Sequence, residues 1–129
     1  MKKLKYILAS SVLFLSTATA ASAVSGPEYT AGKFTYEGQD TFTSKSKVIY
    51  SGGGSFKVCM TGGSGVHEVT LMEYDGSASA DDKVGIGLLT NGSCKTWSGL
   101  TDRIDGENNK AEFYITKDTS NSITVKFYD

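Results

Sequence analysis

Two stretches near the C-terminus, Ala111-Glu112-Phe113-Tyr114-Ile115-Thr116 and Ile123-Thr124-Val125-Lys126-Phe127-Tyr128, decide the fold class. In the first, Ala111, Phe113 and Ile115 alternate with Glu112, Tyr114 and Thr116. In the second, Ile123, Val125 and Phe127 alternate with Thr124, Lys126 and Tyr128. A strand points successive side chains to opposite faces, so this period of two gives each stretch one apolar face and one largely polar face. An amphipathic helix would need apolar residues three and four positions apart instead.

The same period recurs upstream. Phe34 and Tyr36 alternate with Lys33, Thr35 and Glu37. Phe56, Val58 and Met60 alternate with Lys57, Cys59 and Thr61, and Val84, Ile86 and Leu88 with Lys83, Gly85 and Gly87. Weaker strands are expected at Thr41 to Ser44, Lys47 to Tyr50, Val66 to Tyr74 and Ser93 to Ser98. Between them lie Ser51-Gly52-Gly53-Gly54, Gly62-Gly63-Ser64-Gly65, Asp75-Gly76, Asn91-Gly92 and Asp105-Gly106. These are turn sequences, because glycine reaches positive φ without a steric penalty. Asn91-Gly92 predicts a two-residue hairpin, and residues 117–121 are expected to close a last hairpin between the two stretches quoted first. Seven to nine short strands with many glycines and a single proline, Pro27, point to a small antiparallel β-sandwich, with a small barrel as the alternative.

The N-terminus reads differently. Lys2, Lys3 and Lys5 precede an apolar run from Ile7 to Leu15, and Ala21-Ser22-Ala23 has the small residues that signal peptidase accepts. The run is too short to span a bilayer core of about 30 Å, so a cleaved secretory leader over 1–23 is expected. Of 129 residues, 106 remain (24–129), the size of one all-β domain. No second apolar run follows it, so no integral membrane segment is expected in the mature chain. Losing three leader lysines takes the formal charge from −1 to −4. That balance offers no electrostatic footprint for nucleic acid and little attraction to an anionic membrane surface.

Export places the two cysteines, Cys59 and Cys94, where thiols oxidise. Cys59 alternates with the apolar set of its strand, so it faces away from the core and toward a neighbouring strand or loop. A structural Cys59–Cys94 bridge is therefore expected, and the CxxC spacing that tunes redox pairs is absent.

Catalytic and metal motifs are sparse. His67 is the single histidine, so a site with two imidazoles is excluded. Gly62-Gly63-Ser64-Gly65-Val66 lacks the G-x-S-x-G elbow. Around Asp105-Gly106, Thr101 and Arg103 occupy positions where a calcium-binding EF-hand needs carboxylates. No cofactor is therefore expected; a different calcium loop would draw on Asp102, Asp105 and Glu107, or on Asp75, Asp81 and Asp82. A ribonuclease-like set of His67, a glutamate and Arg103 is permitted by residue type. However, His67 and its same-face partner Glu73 would stand about 20 Å apart along a strand.

Aromatic side chains give the remaining lead. Trp97, Tyr114 and Tyr128 fall on positions that alternation assigns away from the main apolar set. Rings on a sheet face stack on sugars or anchor a protein partner, although they also pack under loops. The expected function is thus non-catalytic binding of a protein or glycan of the cell envelope or extracellular matrix. A secreted hydrolase or nuclease and a secreted toxin are the alternatives.

Overall fold

The computed structural model describes residues 33–76, 79–105 and 108–129. The expected leader, 1–23, and the first residues of the expected mature domain lie outside the described residues. Eight strands run in chain order: β1 (Tyr36–Phe42), β2 (Ile49–Ser51), β3 (Ser55–Gly62), β4 (His67–Glu73), β5 (Asp82–Leu89), β6 (Cys94–Ser98), β7 (Ala111–Lys117) and β8 (Ile123–Tyr128). Among the described residues one 3-10 turn, Thr101–Arg103, lies between β6 and β7. The strands form two four-stranded antiparallel sheets, ordered β1-β8-β3-β6 and β2-β7-β4-β5. The all-β sandwich expected from the alternation is what the chain forms.

The inward face of each strand supplies the core. Phe56, Val58 and Met60 of β3 and Val125 and Phe127 of β8 project from one sheet, Val69, Leu71, Phe113 and Ile115 from the other, and all are fully buried. Phe56 packs tilted against Phe127 at 6.0 Å in its own sheet and against Phe113 at 5.3 Å across the sandwich. Burial of each such ring stabilises the fold by roughly 1.5–3 kcal/mol relative to exposure.

The connections differ from the sequence expectation. Only β4 and β5 are consecutive strands that pair; every other step between neighbouring strands in the sequence crosses to the opposite sheet. The Asn91-Gly92 turn is real, with Ser93 N–H donating to Thr90 O at 2.9 Å and Gly92 at φ 86°. Yet it leads from β5 in one sheet to β6 in the other, so it closes no hairpin. Gly92 N–H donates to Met60 O and Met60 N–H donates to Ser93 O, stitching the turn to β3. Residues 117–121 likewise pass from β7 to β8 across the sandwich. Turn chemistry specifies a change of direction and leaves open which sheet receives the chain.

The phase of β5 is also inverted relative to the expectation. Ile86 and Leu88 are exposed, whereas Gly87 and Leu89 are buried and Gly85 is half-buried. The register shifts where Leu71 and Met72 of β4 meet Gly85 and Lys83, which leaves Val84 as the extra residue of a bulge. The glycines answer to space. A Cβ on Gly85 would lie 3.0 Å from the Trp97 indole, and one on Gly87 would lie 2.5 Å from Lys95 Cγ. Side chains of β6 fold over β5 at this side of the sandwich, and the two inward positions they cover, Gly85 and Gly87, must be small to admit them.

Candidate functional site

Cys59 and Cys94 are register partners on β3 and β6 and form a disulfide with Cα atoms 4.0 Å apart. Both belong to the outer face of their sheet, opposite Phe56, Val58 and Met60. The bridge therefore lies outside the core, as the alternation of β3 requires.

The aromatic candidates separate. Trp97 is a core residue, 8% exposed, because β6 turns it inward opposite Phe56 and Gly85 makes room for it. Tyr114 does lie on the outer face of β7, but it is only 4% exposed. Its hydroxyl donates to Asp81 Oδ2 at 2.5 Å, and Lys45 Nζ caps its ring at 4.1 Å. Burial, then the hydrogen bond to Asp81 and that residue's charge, push the Tyr114 phenol up to about 12. The same hydroxyl, with the Asp75 N–H, holds the Asp81 carboxyl below its ordinary range. Neither Trp97 nor Tyr114 presents a ring to solvent.

Tyr128 has a different setting. On the outer face of the first sheet it stands between Tyr36 of β1 and Lys57 of β3, its register partner on each side. The Tyr36 and Tyr128 rings meet edge to face at 5.8 Å, and Tyr36 is 52% exposed. Lys57 Nζ lies over the Tyr128 ring at 4.8 Å and over the Phe34 ring at 4.3 Å. Three strands and the lead-in to β1 thus assemble a patch of three rings, two of them under one ammonium group. Lys57, Phe34 and Tyr128 are half-buried, and cation–π attraction holds the lysine over the two rings by about 0.5–1 kcal/mol or more. The next row of this face carries Gln39, Lys126 and the disulfide.

A second constellation gathers at one end of the other sheet. Glu73 ends β4, Asp75 follows in the β4–β5 hairpin, and Asp105 follows the 3-10 turn and bridges to Lys110. Each brings a carboxylate oxygen within 4.8 Å of the others. Arg103 Nη1 donates to Glu73 Oε2 at 3.1 Å and reaches Asp82 Oδ2 at 3.4 Å. Glu73 is 2% exposed, and its Oε1 has no hydrogen-bond partner among the described residues. Burial raises the Glu73 carboxyl above its ordinary range, and the Arg103 hydrogen bond offsets part of that rise. Asp75 is raised as well, by burial and by the charges of Asp82, Asp105 and Asp81. An open cleft of about 370 Å³ adjoins the group, lined by Tyr74, Asp75, Ser79, Asp105 and Glu112 among others.

His67, at the opposite end of β4 from Glu73, is 2% exposed. Its Nε2 lies 2.8 Å from the Ser64 carbonyl, which only accepts, so Nε2 carries the proton. Nδ1 lies within hydrogen-bond distance of the Thr119 hydroxyl, at 2.6 Å. Lys117 Nζ donates to the Thr119 carbonyl and, at 3.3 Å, to its hydroxyl. Arg103 and Glu73 meet, but His67 is not brought to them. The sequence reading placed His67 and Glu73 on one face, and β4 does turn both inward. It had no means of pairing Asp75 with Asp105, which are thirty residues apart and meet only because two connections converge at one sheet end.

Comparison with known proteins gives a family. The family model described as the YndA coiled coil domain matches residues 28–127. A protein of Bacillus subtilis (strain 168), described as uncharacterized protein YndA, is 39% identical over 100 residues, covering 77% of this chain and 76% of the relative. No solved structure matches the chain. The family's description speaks of a coiled coil, whereas the described residues hold eight strands, one 3-10 turn and no α-helix.

Proposed function

The chain belongs to the YndA family, and for this member we propose non-catalytic binding, after export, of a glycan or protein of the cell envelope or extracellular matrix. The observation that carries this reading is the row Tyr36, Tyr128 and Lys57 with Phe34 beside it on the outer face of the first sheet. The exposed Tyr36 ring beside the half-buried Phe34 and Tyr128 supplies flat apolar area at small entropic cost, and an ammonium among them adds a donor that orients a polar group. Sugar rings and aromatic or acidic protein side chains fit that combination. With a formal charge of −4 after loss of the leader, the chain as a whole repels polyanions, which favours a neutral glycan or a protein over an anionic polymer. Export is supported by the Lys2 to Ala23 leader pattern and by a disulfide that an oxidising compartment would preserve.

Retention of the mature protein on isolated cell-wall and matrix fractions tests this. Tyr36→Ala and Lys57→Ala change side chains on the outer face, away from the core, and should leave the melting temperature within about 3 °C of the wild type. Each is expected to reduce retention about ten-fold, the effect of losing one ring or cation contact worth about 1.4 kcal/mol. Retention equal to the wild type in the Tyr36→Ala/Lys57→Ala double variant would remove this face from the function.

A further inference from the structure

We propose that Glu73, Asp75 and Asp105 bind a divalent cation of the calcium class. The proposal concerns a different surface from the aromatic row and stands whether or not that row binds a ligand. Two observations on the fold carry it. The first is convergence: one oxygen from each carboxylate lies within 4.8 Å of the other two. Oxygens on opposite sides of a calcium ion are about 4.6–5.2 Å apart, so the three carboxylates are spread over about the width of one ion's coordination shell.

The second observation is the state of Glu73. Its side chain is almost wholly removed from water, Oε2 accepts from Arg103, and Oε1 is buried with no partner among the described residues. A buried carboxylate oxygen without a donor or a cation is costly, and native structures rarely keep one unless something occupies it. Lysine and arginine side chains do not do so here. Arg103 is spent on Oε2 and Asp82. A cation between Glu73, Asp75 and Asp105 would share the Glu73 carboxylate with the guanidinium, and Oε1 is the oxygen that Arg103 leaves without a partner.

The donor set is all carboxylate, with no sulfur and no imidazole, which selects a hard cation. Calcium takes six to eight oxygens, and the adjoining cleft leaves room for water to supply those beyond the three side chains. The ion would tie the β4–β5 hairpin to the connection between β6 and β7, two segments that share no strand pairing. It is a clip of the kind that strands alone do not provide.

The test is calcium titration of the metal-stripped mature protein at constant ionic strength, read by thermal melting and by calorimetry, with magnesium as a parallel arm. Calcium is expected to bind with one-site stoichiometry. It should raise the melting temperature by about 10 °C once free calcium is about 100 times the Kd. Asp75→Asn and Asp105→Asn alter side chains at the surface, so the metal-free variants should melt close to the wild type. Each is expected to weaken calcium binding by about ten-fold or more, since affinity follows the ligand charge count. No calcium-dependent shift in the wild type overturns the proposal. So does a shift that survives intact in the Asp75→Asn/Asp105→Asn double variant, and an equal response to magnesium overturns the calcium class.

Discussion

Replacement of both Cys59 and Cys94 by Ser is expected to lower the unfolding free energy by about 3–4 kcal/mol. The two residues are separated by 35 positions, and the loop they close contains the whole β4–β5 hairpin of the opposite sheet. Without the bridge, the unfolded chain regains the freedom of that loop, which is the larger part of the effect in the chain-entropy account. The substitution is clean. Both sulfurs belong to the outer face of the first sheet, so serine leaves no cavity in the core. For a domain of this size the melting temperature should fall by about 15 °C or more. Urea unfolding of the wild type with and without reductant, beside the double variant, checks it. Reductant should bring the wild type down to the variant and leave the variant unchanged. A loss under about 1 kcal/mol would mean that pairing between β3 and β6 already fixes the loop in the unfolded ensemble.

Arg103→Ala is expected to destabilise the fold by about 1–3 kcal/mol at pH 7. Breaking a fully buried pair costs more, about 3–5 kcal/mol, but Arg103 is about one-third exposed and water replaces part of what it supplies. The loss follows from Glu73, whose buried carboxylate would keep no cationic partner. The pH dependence has a definite sign. Glu73 is raised on folding, chiefly by burial, so the folded state is favoured when this carboxyl is protonated. That advantage is complete below about pH 4.5 and is lost as pH climbs through the raised pKa. Removal of Arg103 deletes a hydrogen bond that lowers the pKa, so the raised value moves further up and the penalty at neutral pH deepens. The gap between Arg103→Ala and the wild type should therefore shrink toward pH 4. Glu73→Gln has no charge to desolvate and should lie within about 1 kcal/mol of the wild type at pH 7. Combined with Arg103→Ala, it should recover most of the loss. Chemical denaturation of the four proteins at pH 4 and pH 7 in chelator supplies the cycle. An Arg103→Ala defect that is unchanged by Glu73→Gln would show that the arginine acts through its packing.

What the sequence reveals of the fold depends on which residues bear the signal. Phe56, Val58 and Met60, and Ile123, Val125 and Phe127, alternate with polar neighbours, so the inward faces of β3 and β8 were legible outright. That periodicity also put Cys59 on the outer face. The same reasoning misphased β5, because its inward positions are Gly85, Gly87 and Leu89 and glycine carries no hydrophobic signal. The small residues there are explained only by Trp97 and Lys95 on β6, which the sequence gives no means of placing opposite. Trp97 was misread for the related reason that β6 is short, with a pattern too brief to show its face. Tyr114 was assigned the correct face, but the cover that Asp81 and Lys45 form over it is a tertiary property.

Function was less legible still. Glu73 reads as one polar residue in a strand, and Asp75 and Asp105 as solvated turn residues. Their convergence needs the topology in which the β4–β5 hairpin and the β6–β7 connection share one end of a sheet. The Tyr36–Tyr128–Lys57 row has the same character. Tyr36 and Tyr128 lie near opposite ends of the domain and become neighbours because β8 inserts between β1 and β3.

The bridge, the aromatic row and the acidic group all depend on that insertion and on a chain that changes sheet at nearly every turn. Nuclear Overhauser contacts between backbone α-protons report strand neighbours directly. They should link β8 to both β1 and β3, with none between β7 and β8. Contacts pairing residues 111–117 with 123–128 as an ordinary hairpin would contradict it.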